Sequence, residues 1–277
     1  MVGAMKSGTT TLYEALRSHP DIFMSTPKEP CYFVDRTPIE KDYQRQMIPQ
    51  KVENYLALFR DANPAKVVGE ASTHYTKLPT LKGAAERIAR FNPNAKILYL
   101  VREPAKRAIQ HYWHRVKTTY ETRDLMTALK EDEQYTGYSY YAMQLRPYFQ
   151  EFPSSQIRVM SLESLLSSPK RVLSDLFRWL EVDENVATLG HFNKTPQTIQ
   201  RVRGGKTLFG FRQSAFWKKV GPAFPLGARR FVLNLLSRPI EKEPDKEKEA
   251  IRYLRKIQLP QIEELEVLLG RRFTEWD

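Results

Sequence analysis

The sequence predicts an α/β protein: a central, mostly parallel sheet with helices covering both faces. Three observations carry this. Short apolar runs alternate with helix-period segments over much of the 277 residues. The first of these runs ends in a small-residue turn, Gly3 to Gly8, that opens directly into a helix. Hydrophobic residues make up 41%, with 14 Phe, 14 Tyr and 4 Trp, enough for a packed core and too many for a disordered or fibrous chain.

Taken in order, Met1–Met5 reads as the end of a strand and Thr9–Ser18 as a helix with Leu12, Ala15 and Leu16 on one side. Lys66–Gly69 reads as a buried strand and Lys96–Val101 as a stronger one. Pro104 suits a first helical turn, where its missing N–H costs nothing, and that helix runs to about Lys117. Ser139–Phe152 reads as a helix despite Pro147, Gln156–Ser161 as a strand and Pro169–Leu180 as a helix. After about Gly190 the rhythm changes. Gly204–Pro244 mixes glycines, prolines, aromatics and cations without a strand pattern. Asp245–Leu269 is helical again, with Pro260 expected to break or kink it. No flexible linker precedes this part. The chain therefore reads as one domain over 1–277, its end from about 205 packed on the sheet as helices and loops.

Lys+Arg number 44 and Asp+Glu 32, a net charge of +12 that points to anionic partners. The cations are dispersed, and no zinc-finger, RNA-recognition or basic-zipper signature is present, so nucleic acid is not the expected partner. A single cysteine, Cys31, excludes an internal disulfide framework and a zinc site built from several thiolates. No apolar run is long enough to span a bilayer and no secretory leader is visible. The expected location is cytoplasmic, or lumenal if an anchor lies upstream.

The first loop holds the sharpest chemistry. In Val2-Gly3-Ala4-Met5-Lys6-Ser7-Gly8-Thr9-Thr10-Thr11, a strand ends, small residues turn and a helix begins. Free N–H groups and the positive helix end then converge on one spot, which suits a phosphate. Lys6 adds a full charge, and Ser7, Thr9 and Thr10 add hydroxyl donors. The spacing is not that of a Walker A loop, which needs Gly-Lys before Ser/Thr.

Lys6-Ser-Gly-Thr-Thr resembles the 5′-phosphosulfate loop of sulfotransferases, and four other segments agree in order. Pro27-Lys28-Glu29-Pro30-Cys31-Tyr32-Phe33 is similar to the family's Lys-Glu-Pro-x-x-Phe segment. Gly69-Glu70-Ala71-Ser72-Thr73-His74-Tyr75 is similar to the Gly-Glu-x-Ser-x-x-Tyr segment of its carbohydrate-type and bacterial members. Leu100 to Ala108 resembles the 3′-phosphate motif, and Leu268 to Trp276 the tail of bacterial members. The resemblance implies a P-loop-kinase-like sulfotransferase fold. It also implies a co-substrate, 3′-phosphoadenosine 5′-phosphosulfate, bound by Lys6, Ser7, Gly8, Thr9, Thr10 and Thr11 at the 5′ end and by Arg102 at the 3′ end. The family's 3′-phosphate serine is Gln110 here, whose amide can still donate; Arg107 and His111 lie close enough in sequence to compensate. A late loop rich in Arg, Lys and Gly closes the nucleotide site in the family, and Arg203 and Gly204, between Asn193 and Lys206, are its candidates.

The implied reaction moves a sulfuryl group to a hydroxyl, or second to it an amine, of a carbohydrate-like or small acceptor, with no metal. Lys6 is expected to stabilise the leaving phosphate, and Glu70, just after a strand, to act as general base, with His74 as its rival. Lys28 is expected to steer the sulfuryl oxygens or to keep Glu70 ionised. Cys31 is expected to be a small apolar residue. Two other readings stand beside this one. One is a P-loop-related phosphotransferase. The other is a basic module that binds a membrane or polyanion through Phe211, Phe216 and Trp217 with Arg212, Lys218 and Lys219.

Overall fold

In the computed structural model, residues 1–34, 51–118, 121–186, 198–202 and 237–277 are described. The apolar runs become parallel strands. β1 (Ile22–Met24) pairs with β2 (Val67–Gly69), and β3 (Ile97–Val101) with β4 (Ile157–Ser161). Residues 1–4 join the two pairs. The Val2 and Ala4 N–H groups donate to the Leu98 and Leu100 carbonyls at 2.9 and 2.7 Å, and on the other side the Ser72 N–H donates to the Met1 carbonyl at 3.0 Å. The sheet order is thus β1, β2, residues 1–4, β3, β4.

Period-two alternation along β3 divides the core. Ile97, Tyr99 and Val101 face one side, with Ala84, Ala85 and Ile88 of α3 (Ala84–Phe91) and Tyr141, Leu145 and Tyr148 of α7 (Tyr141–Glu151). Leu98 and Leu100 face the other, with Leu12 and Leu16 of α1 (Thr9–Arg17) and Leu173 and Phe177 of α9 (Pro169–Leu180). All five β3 side chains are buried, which is why this strand lacks polar residues. β2 departs from the expected buried strand: Val68 is 48% exposed.

α4 (Pro104–Lys117) starts at the carboxyl end of β3, with Pro104 in its first turn and the Glu103 carboxylate accepting from the Lys106 N–H. Its apolar side packs on α5 (Leu125–Glu131) and on Ala250 and Leu254 of α10 (Pro244–Leu269). α10 runs through Pro260 as one helix, so the expected break is absent. The tail then folds back. Phe273 and Trp276 enter the core beside β3, Trp276 Nε1 donates to Glu163, and Arg255 of α10 pairs with Glu103 at 2.9 Å. The tail motif thus braces the loop that follows β3.

The end of the chain also holds strands that its composition hides. β5 (Thr198–Val202) and β6 (Ser237–Glu241) form an antiparallel pair, with Gln200 opposite Pro239. Part of the segment expected to lack strands is therefore extended.

Candidate active site

In open parallel sheets, ligands bind beyond the strand carboxyl ends where the strand order reverses. Here that place lies between residues 1–4 and β3, because the chain continues to α1 on one face and, from β3, to α4 and α7 beside the other. Lys6 and Arg102 leave the sheet at this edge.

The first loop is tightly specified. Gly8 takes a left-handed φ of 87° at the start of α1, and no side chain caps that end. The opening N–H groups of a helix have no partner within it, so an anion can take them. Ser7 is fully buried, Thr9 and Thr11 are buried and Thr10 is exposed. Lys6 itself has φ 67°. Burial lowers its ammonium pKa to about 8, with Lys117, Lys28 and Arg107 adding to the fall. The carboxylate acting most strongly against that fall is Glu29.

Arg102 is half-buried, and its Nη1 donates to the Lys6 carbonyl at 3.4 Å. The Tyr141 hydroxyl donates to the Arg102 carbonyl at 2.7 Å and fixes the strand end. Burial holds the guanidinium below its ordinary pKa, and the buried Arg102 Nε finds no partner among the described residues. That is the state of a cation positioned for an anionic ligand.

Gln110 is half-buried on α4, on the helical stripe that also carries Arg107, His111 and His114. The two neighbours expected to compensate for the serine are both buried, and Arg107 Nη1 and His111 Nδ1 find no partner among the described residues. Arg107 is fully buried, donating from Nε to Ser139 Oγ at 2.5 Å and from Nη2 to the Tyr135 carbonyl at 2.6 Å. His111 is buried against Tyr135 and Tyr138, and burial with neighbouring cations drives its pKa well down. Both are turned inward. His114, not singled out from sequence, titrates near Lys6, Lys77 and Lys117, and burial and those cations lower its pKa to about 4. Arg203 and Gly204 lie outside the described residues, as do residues 211–219.

Around the Lys28–His74 segment the structure rearranges the expected roles. Lys28 pairs with Glu29 at 3.1 Å, not with Glu70. Glu29, at a left-handed φ of 65°, gathers two segments. Its Oε2 accepts from the Thr73 N–H at 3.2 Å, from Thr73 Oγ1 at 2.9 Å and from His74 Nδ1 at 3.1 Å. Burial works to raise its pKa, but the bonds from His74 and Lys28 prevail and hold it well below the ordinary carboxylate range. His74 is buried, and burial with Lys77 and Lys28 lowers its pKa against the pull of Glu29. Cys31 is buried as expected, and burial beside Glu29 and Glu70 pushes its thiol up to about 12.

Glu70 follows β2, as expected, but both its oxygens are engaged. Oε1 accepts the Tyr75 and Tyr55 hydroxyls at 2.7 and 3.1 Å, and Oε2 accepts Ser72 Oγ at 2.7 Å. Burial raises its pKa, and these three hydroxyls oppose the rise. The Gly-Glu-x-Ser-x-x-Tyr pattern is therefore a hydrogen-bonded knot: Ser72 and Tyr75 close on the glutamate that precedes them.

The arrangement brings the Lys6 loop and Arg102 together at one sheet edge, and Glu29, bonded to Lys28 and His74, acts on Lys6. A match to the sulfotransferase family covers residues 1–185. The human heparan sulfate glucosamine 3-O-sulfotransferase 3B1 is 28% identical over 207 residues, 70% of this chain and 49% of that protein. The membrane-associated sulfotransferase kil1 of Dictyostelium discoideum is 30% identical over 112 residues, 40% of this chain and 21% of that protein. The crystal structure of a sulfotransferase from Alicyclobacillus acidocaldarius superposes with a TM-score of 0.71 at 25% identity, covering 100% of this chain and 96% of that one. The chain spans about half the length of the human relatives named for 3-O-sulfation by the 3A1 and 3B1 enzymes. No helix among the described residues is long and apolar enough to cross a membrane. With its five motifs in order on a sheet of this topology, the chain belongs to the sulfotransferase family.

Proposed function

We propose that the chain transfers the sulfuryl group of 3′-phosphoadenosine 5′-phosphosulfate to a hydroxyl of a glucosamine-containing glycan. The observation that carries this reading is the Arg102–Lys6 contact of 3.4 Å, which ties the two anion positions into one site. A donor with phosphates at both ends of its ribose needs such a pair. The glycan class draws on the relatives' names, and the net charge of +12 suits an acidic chain.

The helix opening at Gly8 to Thr11 and Lys6 hold the 5′ end, and Arg102, with Gln110 beside it on α4, takes the 3′-phosphate. Sulfuryl transfer resembles phosphoryl transfer in spreading charge over its oxygens, so positioned cations do most of the work. The sulfur–oxygen bond to the phosphate breaks as the bond to the acceptor oxygen forms. Lys6 neutralises the departing oxygen. Lys28, at the same cluster, steadies the sulfuryl oxygens.

The acceptor proton goes to Glu29 rather than to Glu70. Glu29 is the carboxylate acting on Lys6, and it stays ionised across the working range. Both carboxylates are engaged, Glu70 by three hydroxyls and Glu29 by Lys28, Thr73 and His74, so what separates them is the action of Glu29 on Lys6. His74 orients Glu29 through the 3.1 Å bond. A carboxylate held this low is a weak proton acceptor, so the assignment rests on the action of Glu29 on Lys6, where the transferring group departs.

The test is transfer of radiolabelled sulfuryl from the donor to heparan sulfate, to N-acetylated and N-sulfated glucosamine oligosaccharides and to a simple phenol. Label on the glucosamine chains is expected. Label confined to the phenol, or no transfer to any of them, overturns the acceptor class.

A further inference from the structure

We propose that Glu29, Cys31 and His74 form a soft-metal site in which a zinc-type dication blocks the reaction. The ligand atoms of these three residues all lie within 4.8 Å of one another, and none of the three is exposed. Cys31 Sγ is 3.3 Å from His74 Nδ1, which is 3.1 Å from Glu29 Oε2. Tetrahedral zinc with one sulfur, one nitrogen and one oxygen ligand has ligand–ligand edges of about 3.3–3.6 Å, from metal–ligand distances near 2.0–2.3 Å. The two edges at His74 therefore need to open by only a few tenths of an ångström to admit the ion, and the third, from Cys31 Sγ to the Glu29 carboxylate, lies within 4.8 Å.

Local backbone holds the trio together without a metal. Cys31 and Glu29 both have left-handed φ, 54° and 65°, in the short loop that brings their ligand atoms within 4.8 Å of each other. The Cys31 N–H donates to Ser72 Oγ at 3.0 Å and the Glu29 N–H to the Ala71 carbonyl at 2.9 Å, which seats that loop on the segment carrying His74. Sulfur, imidazole and carboxylate together favour zinc or cadmium over magnesium or calcium, which prefer all-oxygen sets. Lys28 engages the opposite carboxylate oxygen, Oε1, and leaves Oε2 toward His74. The other charged groups around the trio are Lys6, Lys77 and Glu70.

Binding forms a sulfur–metal bond, and the thiol proton leaves to solvent. His74 moves its own proton from Nδ1 to Nε2, and Glu29 contributes an existing lone pair. That lone pair is the one the acceptor proton needs, so the block of transfer rests on Glu29 as the base, whereas the site itself does not.

Cys31 is the only cysteine, so any thiolate-to-metal charge transfer reports on this position. The reduced full chain is titrated with cadmium and read by ultraviolet difference absorption. A charge-transfer band saturating at one cadmium per chain, displaced by zinc, is expected. Cys31→Ser should abolish it. His74→Ala should weaken cadmium binding at least about tenfold, since losing even an outer partner of a metal ligand costs about 10–100-fold. Glu29→Gln provides a second ligand variant if His74→Ala is unfolded by circular dichroism. No band, or a band whose affinity is the same in the folded ligand variants, overturns the site. A band with the expected pattern but no slowing of transfer by zinc keeps the site and removes Glu29 as the base.

Discussion

The Arg102 guanidinium donates to the backbone carbonyl of Lys6 across 96 residues of chain. This contact draws the end of β3 onto the loop that opens α1, so the two anion positions share one wall. Tyr141 holds the same strand end from α7, and the tail braces it through Arg255, Glu103 and Trp276. The proposed donor site is therefore supported from both ends of the chain.

One consequence concerns nucleotide selectivity. The product bearing both 3′- and 5′-phosphates should bind more tightly than AMP, which fills only one position. A charge-assisted contact of this kind is worth about 1.5–3 kcal/mol, or about tenfold to a hundredfold in affinity. Calorimetry with the two nucleotides checks this; equal affinities remove Arg102 from the site.

Lys6 carries a signature in pH. Its ammonium pKa is lowered to about 8, so the charged form is complete below that pH and lost above it. Turnover divided by the donor Michaelis constant should fall as pH rises through about 8. Lys6→Ala should lower turnover more than donor affinity, because the contact strengthens in the transition state. Lys6→Arg keeps its charge at any working pH and should lose the basic limb. Rate profiles of the three proteins check this, and an unchanged basic limb in Lys6→Arg assigns the titration to another group.

Gly8 tests the loop's backbone. A Cβ there would lie 2.6 Å from Leu162 Cδ1, on a backbone with φ 87°. The left-handed conformation alone costs about 1–2 kcal/mol for an L-residue, which corresponds to a Tm loss of about 2–8 °C for a chain of this size. Gly270→Ala is the control: φ is 62°, yet nothing lies within 4 Å of the added Cβ. Both variants should lose stability in thermal melts, and only Gly8→Ala should also weaken binding of the bis-phosphate nucleotide.

The sequence was most readable where one residue pattern meets one physical need. β3 is an unbroken apolar run because both its faces are covered, and Pro169 opens α9 at the expected residue. The Lys6 loop and Arg102 were readable because strand ends and helix starts are local features. Glu29 was visible within its motif but its partners were not: Thr73 and His74 lie 44 and 45 residues away, reached by a left-handed turn that composition does not announce. Glu70 sits just after its strand as its motif suggested, and what the sequence did not show is that the hydroxyls of Tyr55, Tyr75 and Ser72 are gathered on it in three dimensions. β5 and β6 escaped notice because an antiparallel pair containing Gln200, Arg201, Arg238 and Pro239 has no apolar run to mark it. Pro260 was read as a break or kink, and α10 continues through it without a break while its residues Ala250, Leu254 and Leu265 remain packed.

The choice between the two glutamates bears most directly on how the site works. Glu70→Gln replaces a carboxylate that accepts three hydroxyls with a group holding a single acceptor oxygen, so at least one donor loses its partner at a cost of about 1–3 kcal/mol. It should melt earlier and, once folded, transfer sulfuryl within a few-fold of the unaltered chain. Glu29→Gln likewise leaves a donor among Lys28, Thr73 and His74 without its partner and should also melt earlier, but it removes the proposed proton acceptor, and general-base catalysis is worth about a hundredfold to ten-thousandfold. The measurement is single-turnover transfer from labelled donor at saturating acceptor for both variants, with bis-phosphate nucleotide affinity as the control for site integrity. The account predicts that Glu29→Gln binds nucleotide normally and loses at least about a hundredfold in rate, while Glu70→Gln keeps its rate. A Glu70→Gln variant that binds nucleotide but is inactive, beside an active Glu29→Gln, would contradict it.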